Sequence, residues 1–290
     1  MSSAEIRAEV TVVLTPSGYS LPLTLFRAVE SPEETSLLLL PALGMAASFY
    51  QPIAEALARQ GIHTVLMEQR GHGNSSLRAS HRCDFGFREW LEEDIPIAIE
   101  WVRTQCPGTT ITLMGHSLGG HLATCYLGLH ANNPSAPERL VLTACGTPWA
   151  GAYQGKLRWQ IRLLRHLIPP LTLILGYFPG DLLGFGGREA RRLMRDWRRI
   201  VPANRYSAEG MEQDLDAGIT RYRGSVLGIR FESDAMAPEK ATQAVLDKFT
   251  AAKVDSMLLD AGTLGCKADH FRWARHPDAV ATAIANWIRS

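Results

Sequence analysis

The sequence lacks an excess of charge of either sign. Its 290 residues include 30 Lys and Arg against 29 Asp and Glu, a formal net charge of +1. Proteins dedicated to nucleic acid depend on a strong positive field, which this chain does not have, so that class is excluded. With 46% hydrophobic and 20% charged residues, the composition is typical of a soluble globular protein that buries a full core.

The sequence also lacks patterned cysteines and a secretory signal. Its five cysteines are widely spaced and form no C-x-x-C motif: Cys83, Cys106, Cys125, Cys145 and Cys266. This spacing argues against a disulfide framework or a zinc site. The first ten residues include Glu5 and Glu9 and have no basic segment followed by an apolar one. We therefore expect a reducing, cytoplasmic setting.

No apolar run is long enough to cross a membrane. The most apolar segment, Leu163 to Phe185, is interrupted by Arg165, by the pair Pro169-Pro170 and by Asp181. A bilayer requires about 20 continuous apolar residues in a helix. The sequence therefore predicts no transmembrane segment.

Short apolar runs alternate with helical segments along most of the chain. Two alternating runs, Val10–Leu14 and Leu21–Val29, predict an antiparallel hairpin at the N-terminus. Further on, continuous apolar runs predict buried strands at Leu37–Leu40, Thr64–Met67, Thr110–Met114, Leu140–Thr143, Ser225–Phe231 and Ser256–Leu259. Helices are predicted between or after them at Ser48–Gly61, Trp90–Gln105, Leu118–Leu129, Ala241–Phe249 and Ala279–Arg289. This order is typical of an α/β fold with a mostly parallel sheet covered on both faces.

The alternation stops between residues 148 and 222. That segment has helical stretches, Gly and Pro interruptions and no convincing strand. Its net charge is +5, whereas the rest of the chain has a net charge of −4. We interpret residues 148–222 as an inserted helical cap, and residues 1–147 with 223–290 as one core domain.

A predicted strand leads directly into Gly115-His116-Ser117-Leu118-Gly119-Gly120, which opens a predicted helix. A serine on such a tight turn projects its hydroxyl above the sheet edge, and the small residues around it let neighbouring backbones pass. An ordinary helix cap does not need three glycines around one serine. The pattern therefore favours Ser117 as a nucleophile.

With this motif, the sequence resembles the α/β-hydrolase superfamily, in particular its esterase, lipase and serine-aminopeptidase-like branch, over nearly the whole chain. The segment Arg70-Gly71-His72-Gly73-Asn74-Ser75 resembles the family's D-x-R-G-x-G-x-S turn, with Glu68 where the family usually has Asp. We expect this turn to have a structural role, with Arg70 supporting the loop. The resemblance implies a catalytic order of Ser, acid and His.

The resemblance implies that His270 is the catalytic base. Of the nine histidines, only His270 and His276 lie after the last predicted strand, where the family places its base. His270 resembles the family's G-H-F motif, with Asp269 in place of Gly. His116 and His121, which flank Ser117 in sequence, are interpreted as packing or polar groups.

The acid carried over from the resemblance is Asp234. The segment Asp234-Ala235-Met236-Ala237-Pro238 follows a predicted strand and resembles a D-x-h-x-P turn, in which h is apolar. Asp260, at the end of the next strand, is the second candidate, and Glu232 is a weaker one. Asp269 is too close in sequence to His270 to orient it.

Two backbone amides are expected to bind the oxyanion. One is the Leu118 amide, and the other is assigned to Leu43, with Gly44 as the alternative. The family's His-Gly pair is replaced here by Pro41-Ala42, but a backbone donor survives replacement of a side chain.

These residues predict a serine hydrolase that cleaves a carboxylic ester or thioester with a hydrophobic moiety, through an acyl-enzyme and without a cofactor. Two alternatives remain open: an acyltransferase that uses the same triad, and a ligand-binding protein that keeps the fold without turnover. A peptidase ranks below the esterase because nothing in the sequence indicates a site for a peptide or an N-terminal amine.

The cap contains an apolar segment and a basic segment, and each has more than one interpretation. Its apolar segment, 163–185, either forms the core of the cap or lines an apolar pocket over Ser117. Six basic residues predict a solvated helix face, or contact with an acidic partner, an acyl carrier or a membrane surface: Arg188, Arg191, Arg192, Arg195, Arg198 and Arg199.

Overall fold

The sheet dominates the architecture. The computed structural model describes residues 6–29 and 35–290. Within these ranges, eight strands form one sheet in the order β1-β2-β4-β3-β5-β6-β9-β10. Their bounds are β1 (Ala8–Leu14), β2 (Ser20–Phe26), β3 (Thr35–Leu40), β4 (His63–Met67), β5 (Thr110–His116), β6 (Arg139–Thr143), β9 (Ser225–Phe231) and β10 (Lys253–Leu259).

The sheet is antiparallel at its N-terminal edge and parallel elsewhere. Strand β1 pairs with β2, and β2 pairs with β4, both antiparallel. From β4 to β10 every pairing is parallel, with Leu38 opposite Leu113 at the centre. Every residue of β3 is buried, because helices cover both faces of the sheet at this position. The predicted α/β fold with an N-terminal hairpin is confirmed.

Helices pack on the two faces of the sheet. Those outside residues 148–222 are α1 (Gln51–Arg59), α2 (Phe87–Glu89), α3 (Ile95–Gln105), α4 (Leu118–Leu129), α9 (Glu239–Leu246), α10 (Ala261–Leu264) and α11 (Asp278–Arg289). One hydrophobic core contains Trp90 and Leu122, and a second, on the other face, contains Tyr50, Trp273 and Ile284. The carboxyl ends of the parallel strands therefore meet at one edge, between these two cores.

The helix predicted over Trp90–Gln105 differs in its local form. It begins earlier, with α2, and continues through a π turn at Trp90–Asp94 before α3 starts. Pro96 stands just after this turn and has no N–H to donate to the preceding turn of the helix. A wider turn before a proline accommodates this missing donor.

The segment 148–222, here called the cap, lies between β6 and β9, which pair directly with each other. It contains α5 (Gly155–Leu175), α6 (Gly180–Leu183), α7 (Arg191–Ala203) and α8 (Leu215–Ile219). It also forms a small antiparallel hairpin of β7 (Tyr177–Pro179) and β8 (Arg188–Ala190), which the sequence did not predict because each strand has only three residues. Among the described helices, none is long and apolar enough to span a membrane.

Candidate active site

Ser117 lies in a strained turn between β5 and α4. Its φ of 50° and ψ of −114° are unusual for a residue with a side chain. The Ser117 amide donates to the Thr143 carbonyl at the end of the neighbouring β6, which fixes the turn to the sheet. Ser117 is partly exposed although the residues on either side of it are buried. This is the geometry of a nucleophile elbow.

The glycines around Ser117 are required by close backbone contacts. A Cβ atom at Gly115 would overlap the Gly120 amide, and one at Gly119 would overlap the Leu40 carbonyl at the end of β3. The turn therefore brings α4 against the carboxyl ends of β3 and β5. The Gly120 and His121 amides donate to the Ser117 carbonyl, whereas the Leu118 amide at the first position of α4 has no acceptor among the described residues and is available to an anion there.

His270 and Asp234 form a buried hydrogen-bonded pair. The His270 Nδ1 donates to Asp234 Oδ2 over 2.8 Å, and only about 5% of each residue is exposed. The other Asp234 oxygen accepts the Met236 and Ala237 amides at 2.8 and 3.0 Å. Because Nδ1 carries the proton that Asp234 accepts, the other ring nitrogen, Nε2, is left with a lone pair for proton transfer.

The alternative acids make other contacts. Asp260 caps α10, where its side chain accepts the Thr263 amide at 2.7 Å, and this bond lowers the pKa of its carboxyl. Asp269 accepts the amides of Phe271 and Arg272, and Glu232 is exposed. None of these three carboxylates is hydrogen-bonded to His270 in the described part of the chain, and His276 is an exposed residue.

The segment assigned to the second oxyanion donor forms a tight turn after β3. The Met45 amide donates to the Ala42 carbonyl, so Leu43 and Gly44 occupy the two central positions. Gly44 has a φ of 76°, as the third residue of a type II turn requires. We call residues 41–45 the oxyanion turn, after the role that the sequence predicts for them. It adjoins the Ser117 elbow, because Gly119 is packed against Leu40 and Pro41.

A buried hydrogen-bond chain links the oxyanion turn to His116 at the end of β5. The Ala42 amide donates to the Tyr50 hydroxyl at 2.9 Å, and that hydroxyl lies 2.7 Å from His116 Nδ1. Since the Tyr50 oxygen already accepts from Ala42, its proton is directed to His116. Burial holds the pKa of His116 well below its ordinary value, and the proximity of the His270 ring lowers it further, so the His116 ring is neutral.

The same ring also touches the proposed base. The His116 ring centroid lies 4.9 Å from that of His270 and 5.2 Å from that of Trp273. The Trp273 indole N–H donates to the His270 carbonyl at 2.9 Å. The sequence indicated His116 only as a packing or polar group. It did not single out Tyr50, whose contact with His116 depends on how the 3₁₀ turn at Ala47–Tyr50 packs on the sheet.

The Arg70–Ser75 turn has the structural role predicted for it. Arg70 donates to both oxygens of the buried Asp94, at 2.6 and 2.7 Å. Burial raises the pKa of Asp94 to about 6, although the Arg70 hydrogen bonds act to lower it. Glu68, in the position where the family usually has Asp, accepts the Ala47 amide at 2.8 Å and the Asn74 amide at 3.0 Å. The longer side chain thus joins this turn to the segment that follows the oxyanion turn.

The cap touches the site through its glycine-rich hairpin. A Cβ atom at Gly44 would overlap the backbone of Gly186 and Gly187. Next to this contact, the buried Glu189 accepts the Gly187 amide at 2.6 Å and lies 3.1 Å from His72 Nε2. The cap hairpin is therefore packed directly against the oxyanion turn.

Known proteins of this architecture include several hydrolases. The family model for serine aminopeptidase, S33, matches residues 31–206, which contain Ser117. A carboxyl esterase from Bacillus coagulans is 13% identical, with a TM-score of 0.68 over 98% of this chain and 99% of the other. A monoacylglycerol lipase from Paleococcus ferrophilus is 17% identical, with a TM-score of 0.62 over 92% and 98%.

A thioesterase domain from the curacin biosynthetic pathway is 19% identical, with a TM-score of 0.58 over 98% of this chain and 100% of the other. At these identities the three structures show a shared fold. No curated protein sequence gives a significant match. The family match covers more than half of the chain and includes the nucleophile elbow. The chain therefore belongs to the serine aminopeptidase S33 family, a family of serine hydrolases with the α/β-hydrolase fold.

Proposed function

We propose that the protein hydrolyses a carboxylic ester or thioester with a hydrophobic moiety, using Ser117, His270 and Asp234 as a catalytic triad. The observation that carries this proposal is the buried 2.8 Å hydrogen bond from His270 to Asp234, on the same sheet edge as the strained Ser117 elbow. The architecture shared with an esterase, a lipase and a thioesterase supports this reaction class.

The reaction begins with attack of Ser117 Oγ on the substrate carbonyl while His270 Nε2 takes the hydroxyl proton. Asp234 keeps the proton on His270 Nδ1 and stabilises the imidazolium that forms. The Leu118 and Leu43 amides hold the developing oxyanion, a contribution worth about 3–4 kcal/mol per donor in such sites. His270 then protonates the leaving alcohol or thiol, and water, activated by the same base, releases the acyl group from Ser117.

Apolar side chains at the rim of the site support a hydrophobic substrate. Phe271 and Met236, each close in sequence to a triad residue, are 37% and 40% exposed. Phe49 lies edge-on to Phe271, with ring centroids 6.5 Å apart. Most of the apolar cap residues do not share this role, because Leu173, Ile174 and Leu182 are exposed to solvent. We therefore assign the hydrophobic preference to the rim near His270.

Labelling by a fluorophosphonate tests the nucleophile. We expect intact-mass measurement to show one adduct on the unaltered protein and none on Ser117→Ala, which should also lose roughly 10⁴-fold or more in ester turnover. Labelling that persists in Ser117→Ala would contradict the assignment. Absence of both labelling and turnover in the unaltered protein would instead favour a ligand-binding protein.

A matched pair of variants tests the acid. Asp234→Asn removes the acceptor for the His270 N–H and should lower kcat by about 10²–10⁴-fold, whereas Asp260→Asn should leave kcat within about threefold. A large loss in Asp260→Asn alone would transfer the role to Asp260.

Substrate panels separate the reaction classes. We expect turnover of p-nitrophenyl esters to rise from acetyl to octanoyl and acyl-thioesters to be cleaved, with aminoacyl anilides much slower. A steady decline with chain length would contradict the hydrophobic preference. Acyl transfer to an added alcohol or amine at the expense of hydrolysis would identify an acyltransferase.

A further inference from the structure

The arginines of the cap divide into two groups with different surroundings. Arg191 and Arg192 face the core domain, where they bond to Asp84 and, for Arg192, Glu89. Arg188 lies on the Tyr177 ring and donates to the Ala79 carbonyl. These three attach the cap to the rest of the molecule, so the basic run is not a uniformly solvated face.

The second group faces outward and is poor in acidic partners. Arg165 of α5 and Arg195, Arg198 and Arg199 of α7 line one small cleft, and we call them the outer arginine cluster. Arg195 and Arg199 share Glu209, and Arg199 also pairs with Asp196, but no described ion pair includes Arg165 or Arg198. The buried Arg165 Nε has no hydrogen-bond partner among the described residues.

The four guanidinium groups repel one another. Burial lowers the pKa of Arg198, and the positive charges of Arg165, Arg199 and Arg195 lower it further. Three more cations of α5, Lys156, Arg158 and Arg162, are exposed and also lack a carboxylate partner in the described ranges. Such a concentration of positive charge, which Glu209 and Asp196 compensate only in part, is stabilised by bound anions, and phosphate groups match the planar guanidinium.

An exposed apolar stripe runs along the same helix. Trp159, Leu163 and Leu167 recur at spacings of four, and Pro170 and Ile174 continue the row. Trp159 is 70% exposed and Ile174 is 72% exposed, which is unusual for large apolar side chains. Arg158 and Arg162 occupy the adjoining face of α5, each one residue before a member of the stripe.

A larger cleft joins the outer arginine cluster to the apolar stripe. It has a volume of about 670 Å³ and lies between α5 and the end of α7. Trp149, Trp159 and Leu163 form its apolar wall, and Arg162 and Arg165 form part of its basic wall. Arg165 also belongs to the outer arginine cluster, so an anionic group held there has an apolar surface directly beside it. No triad residue lines this cleft.

We propose that this outer surface of the cap binds the interface of a membrane that contains anionic phospholipids, with lipid phosphates on the outer arginine cluster and the apolar stripe inserted beside them. A soluble phosphate would satisfy the arginines but would leave the stripe in water. An interfacial helix combines a cationic face with an exposed apolar face that includes Trp or Leu, as α5 does. Charge complementarity and apolar exposure thus point to one partner. The inference does not depend on the proposed triad.

Vesicle sedimentation tests the proposal with the full chain. We expect strong binding to vesicles of phosphatidylcholine with one-third phosphatidylglycerol, weak binding to pure phosphatidylcholine, and loss of binding at high salt. The double variant Arg165→Gln, Arg198→Gln should bind about 30-fold more weakly, at roughly fivefold per cation. The control Arg59→Gln, Arg103→Gln changes the net charge equally on exposed helix positions elsewhere and should bind within about twofold of the unaltered protein.

A second pair of double variants tests the apolar stripe. Trp159→Ser, Ile174→Ser should weaken binding about tenfold or more, whereas Val10→Ser, Val12→Ser, which alters exposed side chains of β1, should not. Circular dichroism and thermal unfolding confirm that each variant is folded.

Three outcomes would overturn the membrane proposal: no binding to the anionic vesicles, equal loss in the arginine control, or a thermal shift with glycerol 3-phosphate that needs Arg165 and Arg198 while vesicles do not bind. The last outcome would identify a soluble phosphate ligand. Binding is measured on Ser117→Ala as well, so a failed triad and a failed membrane contact give different results.

Discussion

Tyr50 connects two parts of the site that the chain itself separates. Its hydroxyl accepts from Ala42 in the oxyanion turn and donates to His116, whose ring packs on His270. A single phenol thus joins the turn that carries the proposed oxyanion donor to the ring that packs on the proposed base. We regard Tyr50 and His116 as positioning residues, since neither is a member of the proposed triad.

Tyr50→Phe keeps the ring but leaves the Ala42 amide and His116 Nδ1 without their partner. Unpaired buried groups cost about 1–3 kcal/mol, and small displacements of reacting groups cost up to about a hundredfold in rate. We therefore expect kcat for a short ester to fall ten- to a hundredfold, with a much smaller change in KM, in steady-state kinetics.

Tyr222→Phe is the matched control. Its hydroxyl donates to the Pro137 carbonyl at 3.1 Å, at the amino edge of the sheet and away from Ser117. Tyr222→Phe should lower the free energy of unfolding about as much as Tyr50→Phe does, while its kcat stays unchanged. An equal fall of kcat in both variants would show that Tyr50 acts only through stability.

At the scale of the element, the cap hairpin and the oxyanion turn are in contact at Gly44. This residue combines a positive φ with backbone packing against Gly186 and Gly187. The pair Glu189 and His72 lies beside this contact. The position of the Leu43 amide therefore depends on the docking of a hairpin more than 140 residues away in sequence.

Gly44→Ala should destabilise the protein by about 2–4 kcal/mol, from backbone strain together with overlap with the hairpin, and should lower ester turnover because the turn must shift. Urea unfolding and initial rates measure the two effects.

Gly18→Ala is the control for Gly44→Ala, because Gly18 has a φ of 82° and open space around its Cα. Gly18→Ala should lower the free energy of unfolding by about 1–2 kcal/mol without any effect on ester turnover. If Gly44→Ala and Gly18→Ala change stability and ester turnover equally, the contact between the cap hairpin and the oxyanion turn does not affect catalysis.

At the scale of the whole molecule, buried neutral histidines make stability depend on pH. His121 of α4 lies 2.6 Å from the Tyr206 hydroxyl and donates to the Gly146 carbonyl at 3.2 Å, so it connects the core domain to the cap. Burial lowers the pKa of His121 from 6.5 to about 4. Between these values the unfolded chain binds a proton that the native protein does not, so stability falls as the pH drops below 6.5.

His121→Gln removes this titration. The variant should be less stable than the unaltered protein at pH 7, and the difference should shrink by about 2 kcal/mol by pH 5, measured by urea unfolding. Tyr206→Phe removes the hydrogen-bond partner but keeps the buried ring, so its pH dependence should match that of the unaltered protein. If the difference in unfolding free energy between His121→Gln and the unaltered protein does not change with pH, His121 is not buried in the neutral form.

The organisation of the parallel sheet and its helices was largely predictable. Continuous apolar runs marked the parallel strands because both faces of the sheet are covered, and α4 was predicted at Leu118–Leu129, where the structure has it. The cap was less predictable. Pro169-Pro170 suggested an interruption, but α5 continues through both prolines to Leu175, with the Thr172 hydroxyl donating to the Ile168 carbonyl. The charges of α7 suggested one solvated face, whereas Arg191 and Arg192 pair with the core domain.

The sequence by itself determined the fold class, the family, and the positions of Ser117, Asp234 and His270 as candidates, because each depends on a local pattern of a few neighbouring residues. Only the tertiary structure decided that Asp234 rather than Asp260 bonds His270, that Tyr50 reaches His116, and which cap arginines face outward. The physical reason is that these contacts join residues far apart in the chain. Their geometry depends on how helices and loops pack on the sheet, and periodicity along the chain does not specify that packing.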